Sequence, residues 1–377
     1  MKTNETLLLF ADSERDANLL YATGVFIGDP FTFLQINGRP ILILSDLEID
    51  RVRAAAPHCD LLPLSELQKK IRERGITHPR PADVITEVLR SQKIRRVTVP
   101  ETFPLGLARE LGSAGIHLNL RHGTFFPRRE IKTDAEVKKI SAALMMAEVG
   151  LAEGLQVLKN SKIGRGRKLT YRNAPLTSER LRAVIDTAIL QAGGQPANTI
   201  VAGGIQACDP HERGHGQLRA HEPIILDIFP RSQKTGYFGD ITRTVVRGRA
   251  TEAARKLYDT VKRGQKIAFS KIRSGVATSA VHLAVQTFFE QQGYATGKVN
   301  GRMQGFFHGT GHGLGLEIHE APRLGALSLG TLKIGQVVTV EPGLYYPEIG
   351  GVRLEDDALV LKTGARNLTK FEKVLEI

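Results

Sequence analysis

Residues 306–323 read FFHGTGHGLGLEIHEAPR, with His308, His312 and His319 set among glycines. Glycine lacks a Cβ, so backbone and imidazole can approach one another closely there. Two other segments share this character. Residues 226–244, LDIFPRSQKTGYFGDITRT, close an apolar run with Asp227 and place Asp240 thirteen residues later, on what reads as the returning strand of a hairpin. Residues 338–360, VTVEPGLYYPEIGGVRLEDDALV, set Glu341 and Glu355 each after an apolar strand pattern, joined by a Gly/Pro-rich turn. A carboxylate at the end of a buried strand is costly unless something compensates its charge. Four of them converging would repel one another, and each pKa would rise. Two divalent cations remove that cost. Four carboxylates and one imidazole make a hard, oxygen-rich donor set, suited to Mn2+, Co2+, Fe2+ or Zn2+. Such a pair, about 3.5–4 Å apart, can share a water and lower its pKa. Taken singly, each residue has a plainer reading: a salt-bridged strand end, a turn acid, a cap before Pro342, a loop histidine. Together those readings fail, because core strands do not end repeatedly in acids. Asp356 and Asp357 are set aside, since alternation along a strand turns at least one of them away.

The flanking sequence supplies the scaffold. Up to about residue 126, strand and helix patterns alternate. Phe31–Ile36 and Pro40–Leu44 read as a hairpin about Asn37-Gly38, a pair that tolerates the positive φ of a tight turn. Leu64–Arg74 and Ala82–Ser91 have helical spacing, and Arg96–Pro100 reads as a strand. Thr133 with Glu136 forms a capping-box signature. It opens a helix whose apolar stripe runs Val137, Ile140, Leu144, Ala147, Leu151. The division is therefore expected at residues 1–126 and 127–377. Beyond it come helices at Ser178–Gln191, Glu252–Arg273 and Thr278–Gln292. Strands are expected at Thr199–Ala202, Pro223–Phe229, Gly239–Val246, Phe306–His308, Val337–Glu341, Gly351–Glu355 and Ala358–Leu361.

Composition narrows the class. The chain has 377 residues, 41% hydrophobic and 24% charged, so a disordered or fibrous chain is excluded. Two cysteines, Cys59 and Cys208, cannot build a disulfide framework or an all-cysteine zinc site. The apolar run near the start is too short for a signal peptide, and no window approaches the roughly 18 apolar residues of a bilayer span. A soluble, cytoplasmic protein with no membrane partner is expected. The net charge of +13 falls almost wholly after residue 126 and is densest in KNSKIGRGRKLTYR, residues 159–172. A basic patch attracts polyanions. This one has a single interleaved aromatic, Tyr171, so a solvated basic loop is the expectation and nucleic acid is not the expected partner.

The three segments resemble those of the pita-bread metallopeptidases, the family of Xaa-Pro aminopeptidases, Xaa-Pro dipeptidases (prolidases), methionine aminopeptidases and the metal-free creatinases. GDITRT, HGTGHGLGLEIHE, EPGLYY and GVRLEDD occur in the family's order, and NLLYATG from Asn18 suggests its creatinase-like N-terminal domain. The resemblance implies an α/β (α+β) chain: a creatinase-like α/β domain, then a pita-bread catalytic domain with a curved, mostly antiparallel sheet flanked by helices. It places the metal ligands on Asp227, Asp240, His312, Glu341 and Glu355, holding two divalent ions, with Mn2+ first. His308, His319 and His211 would contact substrate, and Glu341 would shuttle the proton. Arg353 would support the site beside Glu355. Arg323 would hold a free substrate carboxylate, or else pair with Glu320 on the surface. The implied reaction is hydrolysis of the bond before proline at a peptide N-terminus, by a homodimer. The alternatives are a prolidase, an amide hydrolase acting on a non-peptide metabolite, and an inactive relative binding nucleic acid or protein through its basic face. Methionine aminopeptidases generally lack this N-terminal domain and a histidine at the His308 position.

There are departures. Asp227 is followed by Ile-Phe-Pro, where the family has glycine two residues on, and the Asp227–Asp240 hairpin is about two residues longer. His215 competes for the role given to His211, and residues 159–172 resemble an insertion.

Overall fold

The computed structural model describes residues 5–377, which divide into two compact units after Arg129. The first is built on a six-stranded sheet in the order β4-β3-β2-β1-β5-β6. Its strands are β1 (Leu7–Ala11), β2 (Phe31–Ile36), β3 (Arg39–Leu44), β4 (Asp60–Pro63), β5 (Arg96–Pro100) and β6 (His117–Arg121). β2 and β3 form the expected hairpin, with Asn37 at φ 50 and Gly38 at φ 81 supplying the turn. The helices are α1 (Ala17–Thr23), α2 (Asp46–Ala55), α3 (Leu64–Glu73), α4 (Pro81–Ser91) and α5 (Leu105–Ser113). One apolar cluster joins Leu8, Leu34 and Ile43 of the sheet to α3, α4 and α5. A second joins Leu7, Leu9, Phe33 and Leu42 to α1 and α2. Strand alternation thus serves both faces, as a mixed sheet covered on both sides requires.

The second unit, Glu130–Ile377, opens with α6 (Asp134–Lys159). Thr133 accepts from the Glu136 backbone N–H while the Glu136 carboxylate accepts from the Thr133 N–H, closing the capping box. Among the described residues, α6 alone is long and apolar enough to cross a bilayer. Its stripe is used internally instead, with Leu144, Ala147 and Leu151 packed in one core with Leu181, Ile185 and Ile189 of α7 (Ser178–Gln191). The basic segment is not a plain loop. It holds the short antiparallel strands β7 (Lys162–Ile163) and β8 (Leu169–Tyr171), and β9 (Ala174–Pro175) just beyond it completes the sheet. The segment's six basic residues are exposed while Leu169 is buried in the α6–α7 core.

Two sheets carry the functional segments. In the first, β11 (Ile200–Gly203), β12 (Ile224–Ile228) and β14 (Ile241–Val245) lie antiparallel in that order. A side pair, β10 (Gly194–Gln195) with β13 (Arg231–Ser232), ties down the connection between β12 and β14. Helices α8 (Glu252–Lys271) and α9 (Thr278–Gln291) follow, then the short hairpin β15 (Gly297–Val299) and β16 (Arg302–Gln304). The second sheet has the order β18-β17-β19-β22-β23: β17 (Gly311–Gly313), β18 (Glu320–Leu324), β19 (Val337–Val340), β22 (Asp356–Val360) and β23 (Ala365–Asn367). Between β19 and β22, the expected turn is itself a paired hairpin, β20 (Gly343–Tyr346) and β21 (Gly350–Arg353).

One strand expectation fails. Phe306–His308 is not a strand; the pairing segment is Gly311–Gly313. Gly305 stands at φ 89 and makes an isolated bridge to Tyr345, which turns the chain out of register before Phe306.

Alternation then decides what faces what. Ile224, Leu226 and Ile228 enter the α6–α7 core, so Asp227 faces the opposite side. Val338 and Val340 of β19, with Ala358 and Val360 of β22, enter a second core with α8 and α9, which turns Thr339 and Glu341 the other way. The acids are left on the concave face between two apolar cores.

Candidate metal centre

Register and glycine packing assemble the centre. Asp227 pairs with Thr242 across β12–β14, and the Glu355 backbone N–H donates to Thr242 O at 3.0 Å, joining the two sheets. His312 is the middle residue of β17 between Gly311 and Gly313. A Cβ on Gly311 would lie 1.9 Å from Thr339 O, and one on Gly313 would lie 2.2 Å from Ala321 O. No side chain fits at either position, which explains the G-H-G spacing.

Asp240, His312 and Glu355 each offer a ligand atom within 4.8 Å of the others, and all three are buried. Glu341 Oε1 lies 3.4 Å from His312 Nε2. Asp227 stands beside them on the same cleft wall, where Arg353 Nη2 donates to its Oδ2 at 2.7 Å. All five expected ligands therefore line one cleft of about 980 Å3. Three form the tight group, and Asp227 and Glu341 flank it.

The polar bookkeeping points to cations. Thr242 Oγ1 donates to Glu355 Oε2 at 2.7 Å, leaving Glu355 Oε1 buried without a donor. Asp227 Oδ1 and Asp240 Oδ1 are orphaned in the same way, among the described residues. Buried carboxylate oxygens with no donor are expensive, and here three of them belong to expected ligands. The His312 tautomer agrees: Nδ1–H donates to Gly313 O at 3.2 Å, which frees the Nε2 lone pair toward Asp240 and Glu341. The donor set fits a divalent metal pair.

Titration follows from the same crowding. Burial, then Glu355, raises the Asp240 pKa well above its ordinary value. Burial, then Glu341 and Asp227, does the same for Glu355. Burial pushes Glu341 up to about 7 against the pull of Arg353. His312 falls to about 3 through burial and the neighbouring His319, so it is neutral and able to ligate at any physiological pH. Bound cations reverse the carboxylate shifts.

The remaining expected residues are distributed around this centre. His308 Nδ1–H donates to Gly309 O at 2.8 Å, and its Nε2 lies 2.8 Å from Tyr345 OH. Burial and Arg353 lower its pKa to about 3, so it too is neutral. His319 is exposed on the cleft wall, its ring 4.4 Å from that of His312 and edge-on to it. His211 lines the cleft, whereas His215 lines a separate cavity with Gln206 and Arg219. Arg323 is an exposed cleft residue opposite His312 in the β17–β18 register. Glu320 is gripped by Lys132 Nζ at 2.9 Å in a buried ion pair and caps the Leu316 and Glu317 N–H groups.

Sequence reading missed Tyr345 and Arg243. Tyr345 OH accepts from Arg353 Nη1 at 3.0 Å, so a chain of contacts runs from Asp227 through Arg353 and Tyr345 to His308. Arg243 is fully buried; it bonds Glu355 O at 2.6 Å, Asp356 Oδ1 at 2.9 Å and the carbonyls of Phe371 and Glu372. A lone arginine inside the apolar run ITRTVV was the available signal, because a buried cation requires an acid partner.

A curved antiparallel sheet with carboxylates and one histidine on its concave face defines a metal-dependent peptidase of the pita-bread type. The chain belongs to metallopeptidase family M24, whose model matches residues 138–362 and whose peptidases are dinuclear metal enzymes. It is 27% identical to an uncharacterized peptidase of Staphylococcus saprophyticus over 94% of this chain and 93% of that one. It is 30% identical to the Xaa-Pro dipeptidase of Pyrococcus horikoshii over 66% of this chain and 64% of that one. In fold it resembles the X-Pro aminopeptidase of Thermotoga maritima, with a TM-score of 0.83 at 21% identity, covering 99% and 98% of the two chains.

Proposed function

We propose that the protein is a dinuclear-metal exopeptidase that hydrolyses the bond before proline at peptide N-termini, an Xaa-Pro aminopeptidase. The observation that carries this reading is the convergence of three donor-less carboxylate oxygens with the free Nε2 of His312. Asp227, Asp240, His312, Glu341 and Glu355 would hold the ions, and the oxygen-rich set favours Mn2+. Bound there, the ions supply Lewis acidity and lower the pKa of a water.

The chain's own groups do the rest. Glu341, partly exposed at the cleft floor, takes the proton from the attacking water and returns it to the departing proline nitrogen. His319 and His211, on the cleft walls, donate to the carbonyl oxygen as charge develops on it. Neutral His308, held by Gly309 O and Tyr345, keeps a fixed orientation toward the substrate. Arg353 binds Asp227 and Tyr345 together and sets their spacing.

A dipeptidase reading is favoured by one feature. Arg323 presents an exposed guanidinium to the cleft, a match for the free carboxylate of a dipeptide. Assaying Gly-Pro beside Gly-Pro-Xaa tripeptides with Mn2+ separates the two. Preference for the tripeptides supports the aminopeptidase, preference for Gly-Pro supports the dipeptidase, and inertness on both refutes the Xaa-Pro reading. We further propose a cytoplasmic homodimer, which light scattering of the purified protein checks for assembly.

A further inference from the structure

The wall beside Asp227 and Asp240 has no part in these proton transfers. Phe229 follows β12 directly, two residues after Asp227, and both line the same cleft. The β12–β14 register ends at Ile228↔Ile241, so Phe229 and Asp240 are the next residues along the two chains. Asn198, two residues before β11, stands at φ 53. All four side chains line the catalytic cleft, and Phe229 is only half-buried there.

The ring stands on a backbone with little freedom. Pro230 follows it, confining residue 229 to extended conformations. Gly239 N–H donates to Pro230 O at 3.2 Å, and the next two residues pair with β10. The hairpin is fastened at its far end as well, where Phe238 N–H donates to Gly315 O at 2.8 Å and Tyr237 OH to Glu136 Oε1 at 2.7 Å. Phe229 is a fixed apolar wall next to two metal-ligand carboxylates.

A short peptide carries a carboxylate at one end and an ammonium at the other, and the charges of this cleft orient it. The carboxylate is drawn to the exposed guanidinium groups of Arg213 and Arg323, which leaves the N-terminal residue on the Asp227 side. The side chain of that first residue then meets the Phe229 ring. We infer that Phe229 sets the size of the residue before proline, admitting Gly, Ala or Ser and rejecting branched and aromatic side chains. The inference rests on the Xaa-Pro reading and names the substrate class within it.

The test is kcat/KM of the Mn2+-loaded full chain on Gly-Pro, Ala-Pro, Leu-Pro and Phe-Pro peptides of matched length, for wild type, Phe229→Leu and Phe229→Ala. Hydrophobic pockets discriminate by about 10–200-fold per misfit group. Wild type should therefore favour Gly and Ala over Leu and Phe by at least about tenfold. The Phe-Pro to Gly-Pro ratio should rise by a comparable factor in Phe229→Ala, with Phe229→Leu between. A wild type that cleaves all four equally, or a ratio unmoved in both variants at wild-type metal content, overturns the role of Phe229 and leaves the peptidase reading standing. A wild type inert on every Xaa-Pro peptide overturns both. Should Phe229→Ala fail to fold, the wild-type series and Phe229→Leu still decide the question.

Discussion

Asp240, Glu355 and His312 carry the account, because the two acids each hold a buried oxygen without a hydrogen-bond donor and the imidazole stands beside them. Asp240→Asn should lower metal affinity by more than the roughly 10–100-fold typical of a supporting residue, with hydrolysis lost in proportion; calorimetric titration of metal into the variant checks it. Tyr345→Phe removes the link between Arg353 and His308 and belongs in that smaller range, with the loss in kcat rather than in metal content. The acids also give the metal-free protein a distinctive pH response. Their pKa values are raised by folding, from the ordinary 4.5 to about 7 for Glu341 and well upward for Asp240 and Glu355. The folded chain then holds more protons than the unfolded one, so stability declines as pH rises through that window. Thermal melts of chelated protein from pH 5 to 8 should show the midpoint falling, and saturating metal should remove the slope.

Strands place these residues, and their placement was only partly legible. The stretches around Asp227, Glu341 and Glu355 could be read because a buried strand that ends in an acid contradicts its own apolar pattern. The capping box at Thr133 and the Asn37-Gly38 turn could be read because local backbone chemistry decides them. Phe306–His308 was misread as a strand, since three bulky residues look alike whether they pair or bend, and Gly305 pairs only with the distant Tyr345. Asp356 pairs with Arg243, a match the sequence could not make because the two lie 113 residues apart. That ion pair is almost wholly buried. Arg243→Met should cost about 3–5 kcal/mol, because Asp356 Oδ1 and the carbonyls of Glu355, Phe371 and Glu372 lose this donor while Lys373 and Asn367 hold only Asp356 Oδ2, read from denaturant midpoints. Gly311→Ala should be at least as damaging, about 4 kcal/mol or more, because Thr339 O occupies the space its Cβ needs.

The catalytic unit places its acids between two apolar cores, so the folded state and the metals are thermodynamically linked. Anything that binds only the native chain stabilises it by mass action, about 2.7 kcal/mol at a hundredfold excess over Kd. For a unit of this size that corresponds to a rise in Tm of roughly 5–10 °C. Scanning calorimetry with Mn2+ and then with excess chelator should show the rise and its reversal. The basic strands β7–β9 lie outside the cleft lining, and removing their charge should leave that shift unchanged. The most direct measurement is the metal content of the chain after dialysis against Mn2+ and removal of free ion. The account requires close to two ions per wild-type chain and a clear deficit in Asp240→Asn. A wild-type chain that retains well under one ion, or a variant that retains as many as wild type, contradicts it.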